Sequence, residues 1–499
     1  KYLSSKTDGK DPKQVYMLYN QILDKQLFNT PVGIDYLKEL QQFLYINKDI
    51  PNDKIRPIPI NNELSEMLDE KKIPLKVKDE IRQLKRDKNR FVVILYFCSL
   101  VWIARGQEQT WREMPYFLKG YEAEYARSPK EASLTWFKDA RFGLFIHWGP
   151  YSLYKKGEWI MYNRNIPLDE YVQKARELTG EGFNAQDYVN LAVSAKMKYI
   201  TFVSKHHDGY AMWDSKASDY DCMDFTPQRD FLKELAQACR KAGVGLFIYY
   251  SLGLDWHHPF YMPRSMYNPA RPKYDPQPAQ YRYEKPEDFK HYMNFAKTQI
   301  MELCTQYGPI AGFWFDTVGG VYQHPDMFNV QEVYDMIHAI QPHALVVYKT
   351  GANGNEDFIT GERNMGSLAP LFKGAGLPKS VQDAADRSWK SNMSKPAELN
   401  IPIQTMAWGY YESPRQHQRT KEEVLELLEN CAKMNANLLL NIAPYPDGSI
   451  QEANIKTLKE VGAHIEKYGF PKLNTKDYMK FRTKNVQKVE KEKVNQTAN

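Results

Sequence analysis

Four successive apolar runs in this 499-residue chain close on side chains able to do chemistry. The first ends in His147-Trp148-Gly149 and the second in Lys205-His206-His207-Asp208-Gly209. The third ends in Tyr249-Tyr250-Ser251, with Asp255-Trp256 beyond, and the fourth in Trp314-Phe315-Asp316. Indole faces pack against the C–H faces of a sugar ring while imidazoles and carboxylates hydrogen-bond its hydroxyls, so this palette fits a carbohydrate site. One polar residue at a strand end is more often structural than functional; four in succession are hard to explain that way. The rival chemistry is a cation held by His206, His207, Asp208, Asp255 and His257. Against it, neighbours on a strand point to opposite faces, and no HExxH or HxH spacing occurs.

These residues need a scaffold that brings strand ends together. From Trp136 onward, apolar runs of four to seven residues alternate with amphipathic stretches, the signature of parallel βα units. The runs predict strands at 141–147, 199–204, 244–250, 310–316, 345–349, 403–408 and 437–442, leaving an eighth missing or irregular. Asn184 caps a helix carrying Tyr188, Leu191, Ala192 and Ala195 on one face. Thr420 and Glu423 form a capping box before Val424, Leu427, Leu428 and Cys431. Further helices are predicted at 287–307 and 331–340. The fold class is therefore α/β, a (β/α) barrel of the TIM type whose site lies at the carboxyl ends of its strands. No GxGxxG or GxxxxGK[ST] turn follows any strand, which argues against a nucleotide site.

Composition narrows the partners. Aromatic residues make up 13% of the chain, with 34 Tyr and 10 Trp, and the net charge is only +6. So small an excess, much of it near the two ends, predicts no nucleic-acid partner. Five cysteines without CxxC spacing give neither a disulfide framework nor a zinc knuckle. Lys85, Arg86, Lys88 and Arg90 precede the mostly apolar run 91–104, followed by the polar Arg105-Gly106-Gln107-Glu108. This is the pattern of a signal peptide at 85–106, with Ala104 and Gly106 placing cleavage before Gln107. As a helix the run would reach about 21 Å, short of a hydrocarbon core of roughly 30 Å, so no stable membrane insertion is expected. The protein is expected to be periplasmic or extracellular. Residues 1–84 read as an extra, mainly helical segment, and 471–499 as a Lys-rich tail.

Nine motifs in order, FGLFIHWGPYS (142–152), GEW (157–159), KHHDGYAMW (205–213), PQRD (227–230), YYSLGLDW (249–256), FWFD (313–316), EDFITGE (356–362), AWGYYE (407–412) and NLLLNIAPYPDG (437–448), resemble the α-L-fucosidases of glycoside hydrolase family 29. The resemblance spans roughly residues 134–470. It implies a distorted barrel that releases terminal α-linked L-fucose from glycans with retention of configuration, using no metal or cofactor. It implies Asp316 as nucleophile and Glu362, in a loop rich in Gly, Asn and Asp, as general acid/base, with Glu398 as the alternative. For the sugar pocket it points to His147, Glu158, Trp159, His206, His207, Tyr249 and Trp408. Where the family often has an arginine after the fifth strand, this chain has Lys349, a point charge in place of a planar fork.

Overall fold

The computed structural model describes residues 114–225 and 228–482. The expected signal peptide at 85–106, the segment 1–84 and the end of the Lys-rich tail lie outside the described residues. Eight parallel strands, β1 (Phe142–Ile146), β2 (Tyr199–Lys205), β3 (Gly245–Tyr250), β4 (Gly312–Phe315), β5 (Leu345–Tyr348), β6 (Ile359–Glu362), β7 (Ala397–Pro402) and β8 (Ala436–Ile442), form one sheet. Their order is β5-β4-β3-β2-β1-β8-β7-β6, a (β/α)8 barrel that nearly closes. Around it run α1 (Pro129–Ala140), α2 (Ala185–Ser194), α3 (Phe231–Ala242), α4 (Phe289–Gln306), α5 (Val330–Ile340), α6 (Lys379–Asn392), α7 (Lys421–Lys433) and α8 (Glu452–Tyr468).

Strand alternation builds two cores. Phe145, Tyr199, Val203, Phe247, Tyr249, Trp314, Val347 and Leu439 fill the barrel interior, where Trp136 and Phe137 of α1 join them. Their neighbours, among them Leu144, Ile146, Ile200, Phe202, Ile248, Phe313, Phe315, Val346 and Leu440, face the surrounding helices. The side-chain period of two therefore sorts the strands into a lumen set and a helix set, with a register shift between Val203 and Lys205 that turns the end of β2 to the helix side. The Asn184 side chain accepts a hydrogen bond from the Gln186 N–H at the start of α2, and the Thr420–Glu423 capping box opens α7. Below the barrel, buried Arg482 donates to the carbonyls of Met393, Lys395, Met434 and Asn435, holding residues 471–482 against the strand bases.

The barrel's distortion is local. No helix separates β5 from β6, and across that seam two backbone bonds replace a ladder: Thr350 N–H to Thr360 O (3.0 Å) and Asp357 N–H to Val346 O (2.8 Å). Two expectations need correction here. Residues 403–408 are not a strand; the strand lies before them, at Ala397–Pro402, and Ile359–Glu362 supplies the missing one. Both were hidden for one physical reason: Thr360, Glu362, Glu398 and Asn400 alternate with apolar residues and break up the run, because this side of the lumen is polar.

Candidate active site

Phe315 pairs with Tyr348, so the next residues, Asp316 and Lys349, stand side by side at the carboxyl edge. Glu362 closes β6 across the seam, on a strand end rather than in the loop expected for it. The Lys349 ammonium reaches Asp316 Oδ1 at 2.6 Å and Glu362 Oε2 at 2.9 Å. Two such contacts through one nitrogen cap the separation of these oxygens at about 5.5 Å. The Tyr249 hydroxyl donates to Asp316 Oδ2 (2.8 Å) and the Thr317 N–H to Oδ1 (2.5 Å). Burial pushes the Asp316 carboxyl up, but Lys349 and Tyr249 outweigh it and hold the group below the usual aspartate range. Burial opposes the charge on Lys349, yet the two carboxylates beside it raise its pKa. Glu362 Oε1 accepts the indole N–H of Trp408 (3.1 Å), and its side chain remains 34% exposed. Gly253 donates its N–H to Asp316 O, and a Cβ there would lie 1.7 Å from Thr317 O, so only glycine lets the loop after β3 rest on the strand that runs into Asp316.

The imidazoles form one wall, and their partners set their tautomers. His147 Nδ1 lies 2.6 Å from Asn441 Oδ1, an acceptor, while the Asn441 amide donates to Trp408 O. Nδ1 therefore carries the proton and Nε2 keeps a lone pair. Ser251 uses its hydroxyl proton on Leu254 O and accepts from His207 Nδ1 at 2.7 Å, which leaves His207 Nε2 an acceptor as well. Burial pushes His147 down to about 3 and lowers His206 and His207 well below the ordinary range, so all three are neutral. His206 stacks on Tyr249, centroids 5.7 Å apart, and its buried Nδ1 has no partner among the described residues. Trp159 stands edge-on to His207 (5.0 Å), and Trp408 lies 5.5 Å from His147.

Glu158 does more than line this wall. Its Oε2 accepts the N–H groups of Trp408 (3.0 Å) and Gly409 (2.8 Å), and Gly157 N–H and Glu412 N–H bond to Tyr410 O and Lys155 O. The loop after β1 is thereby zipped to the loop after β7, fixing the tryptophan whose N–H reaches Glu362. Burial raises the Glu158 pKa despite these amides.

All ten expected site residues thus meet at the mouth, with Lys349 joined to both carboxylates. Glu398 does not. It pairs with Thr360, while Glu362 pairs with Asn400, which puts Glu398 one lumen layer lower. There its carboxylate is occupied by Tyr199 Oη (2.6 Å), Trp314 Nε1 (3.0 Å) and Thr360 Oγ1 (3.1 Å), and burial raises it to about 7. The suggested cation ligands also part company. Asp255 pairs with Lys205 and Asp208 accepts from Tyr171, and among the described residues no cluster of three or more His, Cys, Asp or Glu is placed to hold a metal. Two residues escaped the sequence reading, Asn441, which orients His147, and Tyr267, while Ser251, which orients His207, stands in it only as the close of the third run. Asn441 and Ser251 lie inside quoted motifs. Tyr267 lies in the unpatterned loop after β3, against Gly319 and Gly320 and close enough to Asp316 and Lys349 to interact with both electrostatically. The residue after each working side chain, Thr317 (φ 69°), Thr350 (φ 65°) and Arg363 (φ 56°), adopts the left-handed conformation. Such backbone is disfavoured for residues with a side chain and concentrates at functional sites.

Two carboxylates joined by a lysine, walled by neutral imidazoles and indoles at the carboxyl mouth of a (β/α)8 barrel, define a glycoside hydrolase site. The chain belongs to the α-L-fucosidase family, whose model matches residues 115–470. It is 26% identical over 380 residues to the tissue alpha-L-fucosidase of Macaca fascicularis, covering 71% of this chain and 72% of that protein. It spans 64% of the length of a Caenorhabditis elegans relative. Alpha-L-fucosidase isoenzyme 1 from Paenibacillus thiaminolyticus superposes with a TM-score of 0.56 at 28% identity, covering 68% of this chain and 77% of that one. Alpha-L-fucosidase AlfC from Lactobacillus casei, in complex with α-L-fucose product, superposes with a TM-score of 0.53 at 27% identity, over 67% of this chain and 98% of that one.

Proposed function

We propose that this protein is a retaining exo-α-L-fucosidase acting on terminal fucose of glycans, with Asp316 as nucleophile and Glu362 as general acid/base. The observation that carries the reading is the shared contact of both carboxylates with Lys349. The Asp316 Oδ1 to Glu362 Oε2 separation, capped at about 5.5 Å, falls on the side of direct attack by one carboxylate rather than the wider spacing that inversion uses. Asp316, held ionised and seated on Tyr249, attacks the anomeric carbon. Glu362, steered by Trp408, protonates the leaving oxygen and then takes a proton from the incoming water. The free Nε2 acceptors of His147 and His207 suit sugar hydroxyls, and Trp159 and Trp408 offer faces for the C5 methyl side of fucose.

Proton NMR of early products from a fucosyl oligosaccharide tests the stereochemistry. α-L-Fucose appearing before mutarotation supports the proposal, and β-L-fucose first overturns it. With Glu362→Ala and azide on an aryl fucoside, the expected product is the α-fucosyl azide. Export through the 85–106 segment belongs to the same proposal, and N-terminal sequencing of protein from the native source should begin at or near Gln107.

A further inference from the structure

We propose that Lys349 is a shared charge partner for both half-reactions, following the negative charge from Asp316 to Glu362 and back. This inference rests on the catalytic assignment above and goes beyond it, because it gives one residue a distinct duty in each half-reaction.

The charge bookkeeping requires such a partner. In the first step an Asp316 oxygen bonds to the anomeric carbon. The glycosidic C–O bond breaks, its electron pair goes to the leaving oxygen, and that oxygen takes the proton of Glu362. Negative charge disappears at Asp316 as it becomes an ester and appears at Glu362. In the second step water bonds to the anomeric carbon and gives its proton to Glu362, while the ester electron pair returns to Asp316. The trio of Asp316, Glu362 and Lys349 keeps the same total charge throughout; only the position of the negative charge changes. An ammonium at 2.6 Å from one carboxylate and 2.9 Å from the other compensates it at both ends without leaving its place. Three tetrahedral N–H donors on a flexible stem suit two partners at once.

The surroundings leave this duty to Lys349. His147 from β1 and His206 and His207 after β2 face the same space and are neutral. Tyr249 of β3 donates to Asp316 alone, and Tyr267, from the loop after β3, contributes a phenol. Glu158, after β1, adds a further carboxyl whose Oε2 is engaged by backbone amides. The Arg363 guanidinium, after β6, rests over the Trp408 ring at 5.6 Å, and among the described residues no ion pair joins it to either catalytic carboxylate.

The test uses the full chain as wild type, Lys349→Met, Lys349→Arg, Glu362→Gln and the Lys349→Met/Glu362→Gln double variant. Substrates are aryl α-L-fucosides of graded leaving-group acidity and a fucosyl disaccharide. Lys349→Met should lower kcat/KM about a hundredfold on the disaccharide, whose leaving group draws a full proton from Glu362, and only about tenfold on the dinitrophenyl fucoside. Its acid limb should move up by about one pH unit as Asp316 loses its ammonium. The same change should cost less in the Glu362→Gln background, a coupling of about tenfold. Lys349→Arg should restore the acid limb. Equal losses on every leaving group, with an unmoved acid limb, no coupling and an unchanged unfolding midpoint, would overturn the handover while the fucosidase reading stands. A wild-type enzyme inert on all α-L-fucosides would overturn both.

Discussion

Two lysines of this molecule, one buried and one half-buried, face carboxylates in opposite ways. Lys205 lies sealed on the helix side of the barrel wall, paired with Asp255 at 2.6 Å and ringed by Tyr250, Tyr292 and Phe295 at 4.5 to 5.6 Å. Asp255 also accepts the N–H groups of His257 (3.1 Å) and His258 (2.8 Å), so every partner has one assignment. Burial lowers the Lys205 pKa, whereas two carboxylates raise that of Lys349. The same functional group thus serves as a fixed peg in one place and as a divided contact in the other. What differs is the number of acceptors and the access of substrate, not the chemistry of the ammonium.

The largest effect should come from the divided site. Asp316→Ala should lower turnover by more than about ten-thousandfold, since no route to the covalent intermediate remains, while the circular dichroism spectrum stays unchanged. Retention of a hundredth of wild-type turnover would displace Asp316 as nucleophile. At the fixed site the loss should be one of stability. Lys205→Met strands a buried carboxylate and should cost about 3–5 kcal/mol in urea unfolding, and adding Asp255→Asn should recover part of it. A third experiment probes the layer beneath the mouth. The folded pKa of Glu398 is raised to about 7, so its contribution is full below the unfolded glutamate value and is lost as pH rises through 7. Wild type should therefore lose about 3 kcal/mol between pH 4 and pH 8 from this group, and Glu398→Gln should flatten that slope. The smallest effect, about tenfold in kcat, is expected for Trp408→Phe, which removes one indole hydrogen bond to Glu362. An unaltered rate would mean that the loop zipped by Glu158 positions Glu362 by other contacts.

Much of this was readable before any coordinates. Apolar runs ending in His147, Tyr249 and Asp316 place those residues correctly, because a strand's period of two carries the lumen face to its end. The Asn184 cap and the Thr420–Glu423 capping box were equally direct. The seam between β5 and β6 was only half legible: the run 345–349 announces β5, but β6 is four residues long and polar on alternate positions, so no apolar run announces it. For that reason Glu362 read as a loop residue and Glu398 as its rival. Only the pairing register, Thr360 with Glu398 and Glu362 with Asn400, separates the two acids by a layer. Tyr267 was invisible for a different reason. Its loop follows no repeat, and its place is set by contact with Gly319 and Gly320 across the chain.

The three left-handed residues after Asp316, Lys349 and Glu362 also bear on how such a site changes over evolutionary time. Each chain turns within one residue of its working side chain, so the loops beyond begin in a new direction and put little leverage on the carboxylates. The barrel keeps a fixed reading head, and the outer parts of the loops, such as 268–288, 364–378 and 413–419, form an exchangeable rim. Insertions or swaps in the rim should redirect which glycan is presented while leaving the spacing of the two acids untouched. Variation in linkage preference among relatives should therefore accumulate one residue past the chemistry, and not within it.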